Sequence, residues 1–173
     1  MVGVREAPIS PEFAEALSFV EAAYARRLRR VSRTAQHPIE VAGVLRAAGE
    51  PEWVVVAGLL HDVLEDTDVS ADELAKRFGP EIAGVVEAVS QDETIRGYRE
   101  RKADLRRRTV DGGREAANIA LADKLAKLEG RTVRPKRKRI AHYTATVDEV
   151  EARYGPSPLA ERVRRELERW KPS

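Results

Sequence analysis

The chain contains no cysteine and a single methionine, and aromatic residues make up only 5% of it. Without cysteine, disulfides and thiolate metal sites are excluded, so any metal must be held by nitrogen and oxygen. The absence also fits a reducing compartment. No apolar run approaches the roughly 20 residues that span a bilayer. The first residues, Met1-Val2-Gly3-Val4-Arg5-Glu6, lack the basic-then-apolar order of a signal peptide. These features predict a soluble cytoplasmic protein with no membrane partner. The net charge is only +2, although a pI near 9.0 points to local basic patches. Those patches are not interleaved with aromatics, so nucleic acid is not an expected partner.

What is abundant favours helix. Alanine, leucine, arginine and glutamate dominate, and β-branched stretches are few. With 173 residues, 42% of them hydrophobic, the chain can bury a proper core. The expectation is an all-α helical bundle forming one domain over 1–173, with a motif-bearing core over about 24–155 and a C-terminal helix over about 158–171. Ser10-Pro11 caps a first helix whose stripe is Phe13, Leu17, Val20, Tyr24 and Leu28, with Arg26, Arg27, Arg29 and Arg30 on the polar side. His37-Pro38 starts a second, stopped by Gly49. Pro51 opens a third, and the apolar run from Trp53 is read as one buried helix through Asp66. Ser70-Ala71-Asp72-Glu73 is a capping box. Further helices are expected from Pro80, over an Arg-rich stretch ending near Val110, over Arg114 to Glu129 and over Lys136 to Tyr154. Leu159, Val163, Leu167 and Trp170 form the stripe of the last, which could pack internally or across a homo-oligomer interface.

The apolar run Trp53 to Leu60 ends in His61-Asp62-Val63-Leu64-Glu65-Asp66. Closing a buried segment with ionisable groups is costly unless they are paired or bind a cation. His61 and Glu65 are one helical turn apart, as are Asp62 and Asp66. His61 and Asp62 are about 100° apart around the axis and can flank one ion. His37 begins another helix, and Asp123 interrupts a second apolar run, Ile119-Ala120-Leu121-Ala122-Asp123. Two His and two Asp suit Mn²⁺, Fe²⁺ or another octahedral divalent ion better than a structural Zn²⁺. Glu65 and Asp66 are then candidates for placing a water or exchanging protons.

These residues resemble the HD-domain metal-dependent phosphohydrolases, and in particular the hydrolase domain of RelA/SpoT proteins and the stand-alone small alarmone hydrolases. The likeness runs through His37-Pro38-Ile39-Glu40-Val41-Ala42, Leu60-His61-Asp62-Val63-Leu64-Glu65-Asp66-Thr67, Phe78-Gly79-Pro80-Glu81, Arg101-Lys102 and Leu121-Ala122-Asp123-Lys124-Leu125. Weaker similarity extends over Lys138-Arg139-Ile140-Ala141. It implies an all-α fold and a Mn²⁺-dependent enzyme that uses a metal-bound water to remove the 3′-pyrophosphate of ppGpp and pppGpp. It carries the metal ligands to His37, His61, Asp62 and Asp123, and the catalytic acids to Glu65 and Asp66. Lys102 and Arg139, at matching positions, are the expected phosphate contacts.

Three departures from the family pattern stand out. Lys127 occupies the position where the family has Asn, which makes it a candidate phosphate contact. The segment Arg30 to Gln36 before His37 is shorter than usual. Lys127-Leu128-Glu129-Gly130 replaces the usual Asn-Met-Arg-Thr. The altered loop and Lys127 keep open an HD phosphohydrolase for another nucleotide; a nucleotide-binding regulator without turnover is a separate alternative, against which the intact Glu65-Asp66 argues. Basic residues crowd two segments, Arg96 to Arg108 and Arg131 to Arg139, read mainly as solvated faces. His142 is read as a surface or packing residue.

Overall fold

A computed structural model describes residues 9–26 and 35–170. Leu28, Arg27, Arg29, Arg30 and the segment Arg30 to Thr34 lie outside the described residues, as does the expected end of the last helix at 171. Ten helices and no strand are found among the described residues. They are α1 (Pro11–Arg26), α2 (Gln36–Ala47), α3 (Glu52–Leu60), α4 (Val63–Asp66), α5 (Ala71–Phe78), α6 (Pro80–Val89), α7 (Tyr98–Asp111), α8 (Arg114–Leu128), α9 (Arg137–Tyr154) and α10 (Pro158–Glu168).

Local chemistry sets their ends. The Ser10 hydroxyl accepts from the Phe13 amide at 3.0 Å, Ser70 from Glu73 at 3.2 Å and Ser157 from Ala160 at 3.1 Å. Each satisfies an amide with no partner in the first turn. Gly155 ends α9 with φ of 80°, a conformation that costs a residue with a Cβ.

α8 is the axis of the bundle. Ala116, Ala117, Ile119 to Leu125 and Leu128 are all buried, so α8 is enclosed around most of its circumference, with Asp123 and Lys124 as the charged residues of the buried set. It packs against α2, α3, α6, α7, α9 and α10. The last helix packs inward: Leu159, Val163 and Leu167 are buried, and α10 lies on α8 and α9. The stripe therefore resolves to intramolecular packing.

One expectation is corrected. The apolar run does not continue as a single helix through Asp66, because a turn at His61 and Asp62 separates α3 from α4. The His61 amide bonds the Gly58 carbonyl, three residues back, at 3.4 Å. The His61 ring also donates from Nδ1 to that carbonyl, at 2.7 Å. The imidazole thus takes the acceptor that the next helical amide would use, and the ladder breaks. No helix among the described residues is long and apolar enough to cross a membrane.

Candidate metal centre and cavity

Four side chains from three places in the fold converge. His37 comes from the first turn of α2, His61 and Asp62 from the α3–α4 turn, and Asp123 from the middle of α8. His37 Nε2 is 2.9 Å from Asp123 Oδ1 and 4.0 Å from Asp62 Oδ2. His61 Nε2 is 3.1 Å from Asp62 Oδ1 and 3.5 Å from Asp123 Oδ1. One ligand atom each from His37, His61 and Asp123 lies within 4.8 Å of the others.

The ring of His61 tests whether a metal fits. Its Nδ1–H is committed to the Gly58 carbonyl, so in the neutral ring Nε2 carries the lone pair, the arrangement a metal ligand needs. Nε2 is buried and, despite its closeness to two carboxylates, makes no aligned hydrogen bond. Burial opposes charge on this ring, yet Asp62 and Asp123 overcome it and push its pKa up to about 10. The paired acids demand positive charge between them, and a divalent cation would meet that demand in place of a proton. All four donors are nitrogen or oxygen, as Mn²⁺-type ions prefer. The residues fit the group.

A cavity of about 450 Å³ opens beside the centre. It is lined by His61, Asp62, Glu65, Asp123 and a set of cations from α7, α8, α9 and the loop before α9: Arg101, Lys102, Arg106, Lys124, Lys127, Arg131 and Arg139. Seven cationic side chains thus face three carboxylates. Glu65 reaches the cavity from α4. Its Oε1 accepts from the Gln91 amide N–H at 2.8 Å and its Oε2 from the Gln91 side chain at 2.9 Å. Burial raises the Glu65 carboxyl above the usual carboxylate range, against the Gln91 N–H and with help from Asp62. Gln91 Oε1 in turn accepts from Lys102 Nζ at 2.9 Å. Burial and the neighbouring Lys124 lower the Lys102 pKa.

Lys102, Lys127 and Arg139 all line the cavity. Lys127 is also ion-paired with Asp123 Oδ1 at 2.5 Å, one turn away on α8. Lys124 Nζ takes the other oxygen at 3.1 Å. Burial would raise the Asp123 carboxyl, but Lys127 and Lys124 hold it well below the usual carboxylate range. Asp66, last residue of α4, does not line the cavity, and neither does His37. Sequence reasoning missed Gln91 and Lys124, and placed His142 only as surface or packing. His142 is buried, and it lines the cavity. Lys124 was within reach as the neighbour of a buried Asp, whereas nothing local marks Gln91.

Comparison with known proteins bears on this arrangement. Residues 16–149 match the family described as HD domain. The chain is 32% identical over 124 residues to the guanosine-3′,5′-bis(diphosphate) 3′-pyrophosphohydrolase MESH1 of Drosophila melanogaster, a match covering 69% of each chain. It is 33% identical over 144 residues to the enzyme of that description from Aquifex aeolicus, covering 78% of this chain but only 19% of the longer protein. Among solved structures, a metazoan ortholog of SpoT described as hydrolysing ppGpp superposes with a TM-score of 0.74 at 27% identity. That match covers 95% of this chain and 98% of the other.

Proposed function

We propose, from the premise that this chain belongs to the HD domain family, that it is a hydrolase removing the 3′-pyrophosphate from the guanosine alarmones ppGpp and pppGpp, acting on free nucleotide in the cytoplasm. The observation that carries the reading is the convergence of His37, His61, Asp62 and Asp123, the last three of which line a cavity that also carries seven cations. A substrate matched to that cavity carries several negative charges in a compact volume, as adjoining phosphates do.

His37, His61, Asp62 and Asp123 would hold a divalent cation, Mn²⁺ by family resemblance. When bound, such an ion lowers the pKa of a water and polarises a phosphoryl oxygen. The chain supplies the rest. Glu65 is held at both oxygens by Gln91, and burial raises its carboxyl, which moves it toward the range in which a carboxyl group can both take and return a proton. Asp66, the next residue, is the second acid of this reading. Lys102, Arg139 and Lys127 hold phosphate oxygens and orient the scissile ester. Hydrolysis breaks the bond between O3′ and the adjoining phosphorus: the oxygen of the attacking water leaves with the pyrophosphate, and a proton passes to O3′ to give the 3′-hydroxyl.

The test is pyrophosphate release from ppGpp by metal-stripped protein, with and without Mn²⁺, beside Asp62→Ala. Mn²⁺-dependent release that Asp62→Ala abolishes is the expected result. A second reading, an HD phosphohydrolase for a different nucleotide, is favoured by Lys127 standing where the resembled family has Asn. Phosphate release from another nucleotide, with ppGpp untouched, would select it. Binding of nucleotide with no turnover of any would leave a regulator.

A further inference from the structure

The cavity holds one ring that this reading does not use. His142, on α9, is 6% exposed and lines the cavity. Arg106 Nη1 lies 3.3 Å from His142 Nδ1. A guanidinium can only donate, so Nδ1 accepts and the proton of the neutral ring sits on Nε2. Arg106 is itself fixed, donating from Nε to Glu149 Oε1 at 2.7 Å. Among the described residues Nδ1 is the ring's hydrogen-bonded nitrogen. Glu149, Arg106 and His142 thus form a chain that fixes one tautomer and leaves Nε2–H as the ring's other donor, on a residue that lines the cation-rich cavity.

The ring stays neutral there. Burial, then Lys124, Lys102 and Arg106, push its pKa down to about 2, against a weaker pull from Asp123. A directional donor on a largely buried ring is satisfied best when an acceptor enters the cavity, and an anionic oxygen is the acceptor that the surrounding cations favour. Lys102 and Lys124 attract phosphate from any direction, since an ammonium has no fixed bonding plane. A locked imidazole N–H does have a direction.

We propose that His142 Nε2–H donates to a non-bridging oxygen of the phosphoryl group held between Lys102 and Lys124, and so sets that group's orientation. The inference rests on reading the cavity as a polyphosphate site. It makes His142 a contact for the substrate's phosphates and Arg106 the positioning residue behind it.

Inorganic pyrophosphate is the probe, titrated calorimetrically into the full chain. His142→Phe keeps a ring and removes the donor, and is expected to weaken binding about tenfold, the worth of one hydrogen bond to a charged oxygen. His142→Gln carries an amide N–H near the place of Nε2 and is expected to stay within about threefold of wild type. Nitrogen NMR of the wild-type ring should show Nδ1 bare and Nε2 protonated at neutral pH, with the Nε2 proton shifting when pyrophosphate is added. Unchanged affinity in His142→Phe, no pyrophosphate binding by wild type, or the opposite tautomer overturns the proposal. If His142→Phe does not fold, the wild-type spectrum decides. A protein that binds pyrophosphate through His142 but leaves ppGpp intact keeps this inference and discards the alarmone reading.

Discussion

Gly58→Ala adds one methyl group where α2 and α3 press together. A Cβ built on Gly58 would overlap Leu45 Cδ1 and stand 3.6 Å from Leu45 Cγ and 3.7 Å from Val41 Cγ1. Leu45 and Val41 are both 0% exposed, so the displaced methyl has no free space to enter. Overpacking of this kind costs about 1–3 kcal/mol. The helix-propensity gain of alanine over glycine returns about 1 kcal/mol. The net is a loss of up to about 2 kcal/mol, or several degrees in Tm for a chain this size. The cleaner signal lies elsewhere. α2 carries His37, and α3 leads into His61, so forcing the helices apart separates two ligands of the proposed centre. Mn²⁺ affinity should fall at least tenfold. Gly84→Ala is the control, because its Cβ meets nothing within 4 Å in the helix interior of α6. The same substitution there should stabilise by roughly 0.5–1 kcal/mol and leave Mn²⁺ affinity alone. Urea melts and metal titrations of the three proteins read both effects. A Gly58→Ala protein as stable as wild type, with unchanged affinity, would refute the packing argument.

Other outcomes follow from the same site. Mn²⁺ should raise the Tm of wild type by an amount that grows with the logarithm of its concentration above Kd, and Asp123→Asn should erase that rise; a persistent rise would move the centre elsewhere. Lys127→Asn removes a cation from Asp123 Oδ1 and should tighten Mn²⁺ by roughly five- to tenfold, about 1–1.4 kcal/mol, in calorimetry; weaker binding would contradict the competition. His142 binds a proton near pH 6.5 in the unfolded chain and only near pH 2 when folded, so its contribution is present above pH 6.5 and is lost as pH falls. Between pH 7 and pH 5 wild type should therefore lose roughly 1–2 kcal/mol more stability than His142→Gln in matched denaturant titrations. Equal losses would mean that the folded ring takes up its proton as the unfolded one does.

The residues that interrupt apolar runs were legible in the sequence. His61-Asp62 and Asp123 declare themselves because a buried helix has no ordinary use for them, and the structure brings them within 3.5 Å. The helices were legible too, since their caps and glycine stops are local. The turn at His61 was not, because it depends on a ring borrowing a carbonyl that either backbone path could offer. The inward charges were harder still. α7 buries only Leu105 and Thr109, and its charges fall all around the axis, so no stripe says which of Arg99, Arg101, Lys102 and Arg106 turn toward α9. Gln91 sits in a loop with no periodicity, and its role appears only once Glu65 and Lys102 flank it. Lys127 and Asp123 are four apart on one helix and could have been paired from spacing alone.

His37 and Asp123 are separated by 86 positions and joined by 2.9 Å. In a chain being synthesised the proposed ion site would therefore be incomplete until α8 had emerged and docked. α8 in turn is covered on one side by α10, which supplies none of the cavity-lining residues. A protease cutting in the Gly155 to Ser157 connection would loosen that cover and with it the packing of α8. If the proposed centre holds its ion, occupancy would report on a molecule in which α2, the α3–α4 turn and α8 have all docked.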